Sequence, residues 1–173
     1  IQAKITGSIV FVLLPPIPYS VFFAAYVLAA VARGLMVGIG VLLATLWFAE
    51  LKVVAPWWIL AFTLFGGGLF AALGIIAGIW SEKFDQLAAF QNFLIVPLTM
   101  LSGVFYSIYT LPTFWQGLSH YNPVFYMIDG FRYGFFGVSD VAPEISLTVV
   151  VACFAAVSML TLSLLKRGWK LRG

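Results

Sequence analysis

Residues 94–137 read L-I-V-P-L-T-M-L-S-G-V-F-Y-S-I-Y-T-L-P-T-F-W-Q-G-L-S-H-Y-N-P-V-F-Y-M-I-D-G-F-R-Y-G-F-F-G. The first third is apolar enough to enter a bilayer. The middle is too broken to cross one. Pro112, Gly117 and the pair Asn122-Pro123 interrupt it, and the residue before a proline is pushed out of the helical region. The stretch is nevertheless full of Phe, Trp and Tyr, which prefer the membrane–water interface. This pattern predicts a membrane span followed by short helices that dip back into the bilayer edge. Irregular backbone at that depth is tolerated only where it is buried in protein or lines a cavity. A multi-pass chain with such an element has a reason to hold a path open.

Composition sets the class. Of the 173 residues, 63% are hydrophobic and 9% are charged, and the mean hydropathy is +1.08. A soluble domain averages about 25% charged residues. The deficit decides for an integral membrane protein, and apolar runs of helical span length make the expected fold class all-α. The single cysteine, Cys153, allows no internal disulfide and lies in an apolar run, where it reads as a small packed hydrophobe. The net charge of +3 comes largely from the C-terminal tail. It speaks for orientation, not for nucleic acid. No cleavable signal peptide is visible. The chain starts at Ile1 and not at Met, so a missing N-terminal part is expected.

In chain order, Ser8 to Leu14 suits two turns of helix, capped by Ser8 or Thr6 and stopped by Pro15, Pro16 and Pro18. It is too short to span. Spans are expected at 19–49, 56–80, 93–109 and 145–165. The first is longer than a bilayer core of about 30 Å requires. If its N-terminal end protrudes, Arg33 need not sit at the centre and can snorkel to the cytoplasmic interface. Arg33 then reads as an interface anchor, a partner to a carboxylate, or a substrate contact. Gly34-x-x-x-Gly38 suits close helix packing. Gly66-Gly67-Gly68 in an apolar run is a packing or flexing point, not a phosphate loop. Residues 81–91, with Glu82, Lys83 and Asp85, read as a polar loop. Residues 110–140 form the broken external segment, and 166–173 form a basic tail.

Short-loop Lys and Arg give the orientation. Lys4, Lys83, Lys166, Arg167, Lys170 and Arg172 fall on one side, against Lys52 and Arg132 on the other. Both ends are therefore expected in the cytoplasm, with residues 110–140 facing outward. No catalytic set stands out. His120 is the sole histidine, and a zinc site needs more ligands. A pair of His120 with Ser119 or Ser102 lacks any nucleophile-elbow context. No P-loop occurs, so ATP is not hydrolysed by this chain through one. Asp129 and Arg132, three apart, can pair on one helix face, either structurally or beside cargo.

Several blocks resemble the membrane subunit of ABC-2 type ABC transporters, especially bacterial export permeases. They are L-S-G-V-F-Y at 101–106, L-P-x-F-W-Q-G-L-S-H-x-N-P at 111–123 and D-G-F-R-Y-G-F-F-G at 129–137. Upstream, V-A-R-G-L-x-V-G at 31–38 and P-P-I-P at 15–18 fit as well. The resemblance implies six spans, of which this chain would hold the last four, and a dimer of such subunits in the bacterial inner membrane. It implies a separate ATP-binding subunit docked beneath, so that ATP and Mg belong to that partner and no cofactor to this chain. Residues 1–18 then look like a cytoplasmic coupling segment. Ser8, Val10, Phe11, Leu14, Pro15 and Pro16 would carry the docking. Many relatives have acidic residues before the Leu-Leu, where this chain reads S-I-V-F-V-L-L. Residues 112–137 look like the external helices that cap the translocation path, with Phe105, Tyr106, Trp115, Asn122, Pro123 and Arg132 at an outer gate. The expected function is ATP-driven export of a drug-like, lipid-linked or polysaccharide substrate. Other classes of reading are a lipid-modifying membrane enzyme and a non-transporting scaffold. Membrane lipids, anionic ones at the tail included, are expected partners.

Overall fold

The computed structural model describes residues 18–48, 53–104, 110 and 112–167. Among them the regular elements are all helical. α1 is Tyr19–Leu46 and α2 is Pro56–Trp80. A broken helix follows: α3 (Phe84–Phe90), a π-helical turn (Gln91–Ile95) and α4 (Val96–Met100). Then come α5 (Thr113–His120), α6 (Pro123–Phe136) and α7 (Pro143–Arg167). Three of these, α1, α2 and α7, are long and apolar enough to cross a membrane.

The expected fourth span at 93–109 is not among those three. Helix begins at Phe84, inside the segment read from sequence as a polar loop, and the described helix ends at Met100. Residues 105–109 lie outside the described residues. Pro97 explains the break. It has no N–H to donate, so a carbonyl in the preceding turn loses its partner. The chain widens into a π turn just before it, a common way to absorb such a mismatch.

α2 is the hub of the packing. It touches α7, α1 and α6, and α6 in turn lies against α7. Its three consecutive glycines explain how one helix serves three neighbours. Successive helical positions point about 100° apart. A Cβ on Gly66 would come 2.6 Å from Met127 Cε on α6, one on Gly67 3.4 Å from Val31 Cγ2 on α1, and one on Gly68 2.9 Å from Phe154 Cε2 on α7. Each glycine admits a side chain from a different helix. In lipid, where no hydrophobic effect drives helices together, such close approach is what holds a bundle.

The α2–α6 contact repeats the device from the other side. Gly130 receives the ring of Phe62, and Gly134 receives Ile59. Trp58 adds an edge-on contact to Tyr133 with ring centroids 6.1 Å apart. Met127, Gly130 and Gly134 meet Gly66, Phe62 and Ile59, so α6 runs antiparallel to α2. It starts beside the middle of α2 and ends beside its N-terminus. Gly130→Ala is expected to cost about 1–3 kcal/mol, since Phe62 is buried and must shift. Gly74→Ala, with nothing within 4 Å, should be neutral or mildly stabilising. Thermal unfolding of the detergent-solubilised protein checks the pair; equal effects would contradict this packing.

Candidate functional site

The site is built along α6, which meets α4 and α5 near its start and the entry to α7 further along. α4 stops at Leu101, and Gly103 turns the chain with φ 76°. A helix end leaves carbonyls without intrahelical donors. Here they are satisfied from a distance. The N–H of Ser102 turns to the Thr99 carbonyl at 3.2 Å. The side-chain amide of Asn122 donates to the Leu98 carbonyl at 2.6 Å. The Ser119 hydroxyl lies 3.0 Å from the Leu101 carbonyl and 2.9 Å from that of Trp115.

Asn122 also works on its own helix. Its backbone is extended, and its side-chain oxygen accepts from the N–H of Val124 at 3.0 Å, the N-cap bond of α6. Pro123 follows at the first helical position, where its missing N–H costs nothing. One buried side chain thus caps the start of α6 and the end of α4. The Tyr126 hydroxyl donates to the His120 carbonyl at 2.9 Å, and the His120 ring meets Phe125 edge-on at 5.7 Å.

The far end of α6 is fixed by Asp129. Its Oδ1 accepts from Arg132 Nη2 at 2.8 Å and from the N–H of Asp140 at 2.7 Å. Its Oδ2 accepts from the N–H of Val141 at 3.0 Å. Arg132 Nη2 also pairs with Asp140 Oδ1 at 2.9 Å. Gly137, at φ 70°, ends α6 in the left-handed conformation and donates to the Tyr133 carbonyl at 2.8 Å. The Gly134 carbonyl accepts from Val54 and Ala55, at 3.2 and 2.9 Å. The end of α6, the entry to α2 and the entry to α7 are therefore one hydrogen-bonded corner.

The family profile of ABC-2 type transporters matches residues 2–136. The chain belongs to the ABC-2 type transporter family. It is 43% identical over 171 residues, 98% of its length, to the inner membrane transport permease YadH of Escherichia coli (strain K12), and spans 66% of that protein. Nodulation protein J of Neorhizobium galegae is 29% identical over 134 residues, 75% of this chain and 48% of that protein. No solved structure matches significantly.

In this ABC-2 chain, Asn122, Pro123 and Arg132 fall in the two linked clusters just described. Trp115 is partly exposed on α5, where its ring meets Phe114 edge-on at 5.4 Å. Ser8, Val10, Phe11, Leu14, Pro15, Pro16, Phe105 and Tyr106 lie outside the described residues. Of the other aromatics in the 112–137 segment, Phe114 and Tyr121 are exposed, whereas Phe125 is fully buried. Ser119 and Ser102 are also buried, and their hydroxyls donate to backbone carbonyls. Among the described residues no group of three or more His, Cys, Asp or Glu could hold a metal. Sequence reading weighed Ser119 only as a partner of His120 and missed its tie to Leu101, and it missed Asp140. The S-H-x-N-P spacing carried a signal for the first, since a serine three residues before an N-cap Asn can face the same neighbour.

Proposed function

We propose that the chain is the membrane-embedded permease part of an ATP-driven ABC-2 exporter. It would move a drug-like, lipid-linked or polysaccharide substrate out of the cytoplasm. One observation carries this reading beyond family membership. α6 starts beside the middle of α2 and climbs back to its N-terminus, so the Asn122 turn comes level with the middle of a membrane-spanning helix. With α5 entering and α6 leaving by the same face, this would be a re-entrant hairpin. Polar backbone at such depth needs internal partners, and Asn122 and Ser119 supply them. The broken helix α3–π–α4, continued beyond Met100, would be the fourth span. Both ends would then lie in the cytoplasm, in agreement with the basic tail. Two such subunits would enclose the path, in the bacterial inner membrane as the name of the Escherichia coli relative suggests. A separate subunit would hold ATP and Mg.

Ser8 to Leu14, with Pro15 and Pro16 behind it, would dock on that subunit. The test uses the full-length protein with its ATP-binding partner, reconstituted in proteoliposomes. ATP turnover should depend on both proteins. Phe11→Asp should uncouple it, because an unpaired charge buried in the docked face costs several kcal/mol. ATP turnover unaffected by omitting this chain would sink the permease reading. Unchanged turnover and transport in Phe11→Asp would move the docking elsewhere.

A further inference from the structure

The helix from Phe84 to Met100 carries one residue too many for a regular α-helix. Val96 donates its N–H to the carbonyl of Gln91, five residues back instead of four. Pro97, next in line, has no N–H. Neither the fourth nor the fifth residue after Asn92 therefore closes a turn on the Asn92 carbonyl. The backbone itself is relaxed. Phe90 (φ −56°, ψ −44°), Ile95 (φ −70°, ψ −44°) and Val96 (φ −62°, ψ −48°) are all right-handed helical. The weakness is in the hydrogen-bond ladder, at one turn. Sharp bends in helices are found at prolines and at π turns, and this place has both.

The two sides of this turn are held by different parts of the molecule. On the near side, α3 follows closely on α2 and touches it. The Ser81 N–H donates to the Ala77 carbonyl at 2.9 Å, and the Glu82 N–H to the Gln86 side chain at 2.7 Å, so the connection is bonded to both helices. On the far side, α4 is closed on itself. The Thr99 hydroxyl donates to the Ile95 carbonyl at 2.9 Å, and the Leu101 N–H to the Pro97 carbonyl at 3.0 Å. α4 is also where Asn122 and Ser119 attach, through the Leu98 and Leu101 carbonyls. Phe125 and Tyr126, in the first turn of α6, meet His120 of α5. α3 is thus built onto α2, and α4 onto α5 and the first turn of α6.

The surplus residue makes this more than a proline kink. If the Val96 N–H moves to the Asn92 carbonyl, one N–H···O bond is exchanged for another and the surplus passes back towards α3. The two arrangements hold the same number of bonds, and the residue passed over turns by about 100° around the axis. Pro97 bars the surplus from passing the other way, because a turn closed there would need its N–H. α4 therefore keeps its form while the turn before it can change.

We infer that the Gln91–Ile95 turn is a hinge, on which α4 swings with α5 and the first turn of α6 against α2 and α3. The inference rests on the permease reading for its purpose, since a motion at the α2–α3 end would reach the Asn122 turn through this hinge. Its test does not depend on that reading. Deleting Asn92 makes Val96 the fourth residue after Gln91, so the same N–H and the same carbonyl close an α turn and both flanks keep their places. The full-length protein, made cysteine-free with Cys153→Ala, carries spin labels at Gly117→Cys on α5 and Met159→Cys on α7, both exposed positions. It is placed in nanodiscs and diluted with unlabelled protein, so that pairs within one chain are read. The readout is the distribution of label-to-label distances by pulsed electron paramagnetic resonance. Deletion of Asn92 should narrow it about twofold, and Pro97→Ala, which restores one N–H, should narrow it less. Equal widths with and without Asn92 overturn the hinge. If the deletion does not fold, equal widths with Pro97 and with Pro97→Ala overturn it. Narrowing without partner-dependent ATP turnover would keep the hinge and remove the exporter. Partner-dependent turnover with unchanged widths would do the reverse.

Discussion

Asp129→Ala is expected to lower the stability of the solubilised protein by about 3 kcal/mol, the cost of breaking a buried, hydrogen-bonded charge pair. The reason lies in what remains. The N–H groups of Asp140 and Val141 lose their acceptor, and Arg132 keeps only Asp140. Unmet buried donors cost about 1–3 kcal/mol each. The Gly137 N–H cannot take over this hold, since it is used within its own helix. Asp129→Asn keeps the shape and one acceptor, so it should cost clearly less. Asp140→Ala should also cost less, because its own N–H still reaches Asp129 and Arg132 keeps its pair with Asp129. Thermal unfolding in detergent, with the three variants side by side, checks the order. An Asp129→Ala protein as stable as wild type would mean that the corner is held by packing on α2 alone.

The effect should reach beyond stability. Gly134 links α6 to the entry of α2 through two hydrogen bonds, and Asp129 links it to the entry of α7. Three helix ends therefore share one support. Weakening it should loosen α6 along α2, where Gly130 and Gly134 leave no slack for Phe62 and Ile59.

Parts of this architecture can be read in the sequence, and the reasons are local. Asp129 and Arg132 are three apart on a helix, and they pair as that spacing allows. Asn before Pro signals a helix start, and Asn122 and Pro123 form one. Asp140 escaped because its partner is eleven residues away across a turn, where no period applies. The start of α3 escaped because Glu82, Lys83, Asp85 and Gln86 make the segment polar, although Leu87 to Phe90 continues into a helix. Gly66-Gly67-Gly68 announced close packing but not that each glycine serves a different helix, which depends on where α1, α6 and α7 stand. The register of α1 escaped for a related reason. Sequence gives the length of α1, while its register against α2 is set by the Val31–Gly67 contact.

Asn122 carries the other large expected effect. Asn122→Ala removes the N-cap bond of α6, worth about 1 kcal/mol. It also strips the Leu98 carbonyl of its donor, which costs about 1–3 kcal/mol where no water replaces it. The second loss matters for a gate, because the Asn122 bond ties the α5–α6 turn to the end of the broken helix. Asn122→Asp separates the two roles: it keeps the oxygen that caps Val124 and has no amide to give to Leu98. If the tie holds the turn closed, both variants should open it, and Asp should do so with little loss of helix. Ser102 is a suitable reporter, since it is 1% exposed at the end of α4. In a Cys153→Ala background, Ser102→Cys should react slowly with an impermeant maleimide applied to sealed vesicles of either orientation. Adding Asn122→Ala or Asn122→Asp should raise the rate on one side about tenfold, as expected for a lost restraint of about 1.4 kcal/mol. Faster labelling in the Ala variant alone would assign the effect to the lost cap. Unchanged labelling in both, with transport intact, would leave the α5–α6 turn as a fixed lid over the bundle, and the moving gate would have to be sought along α1.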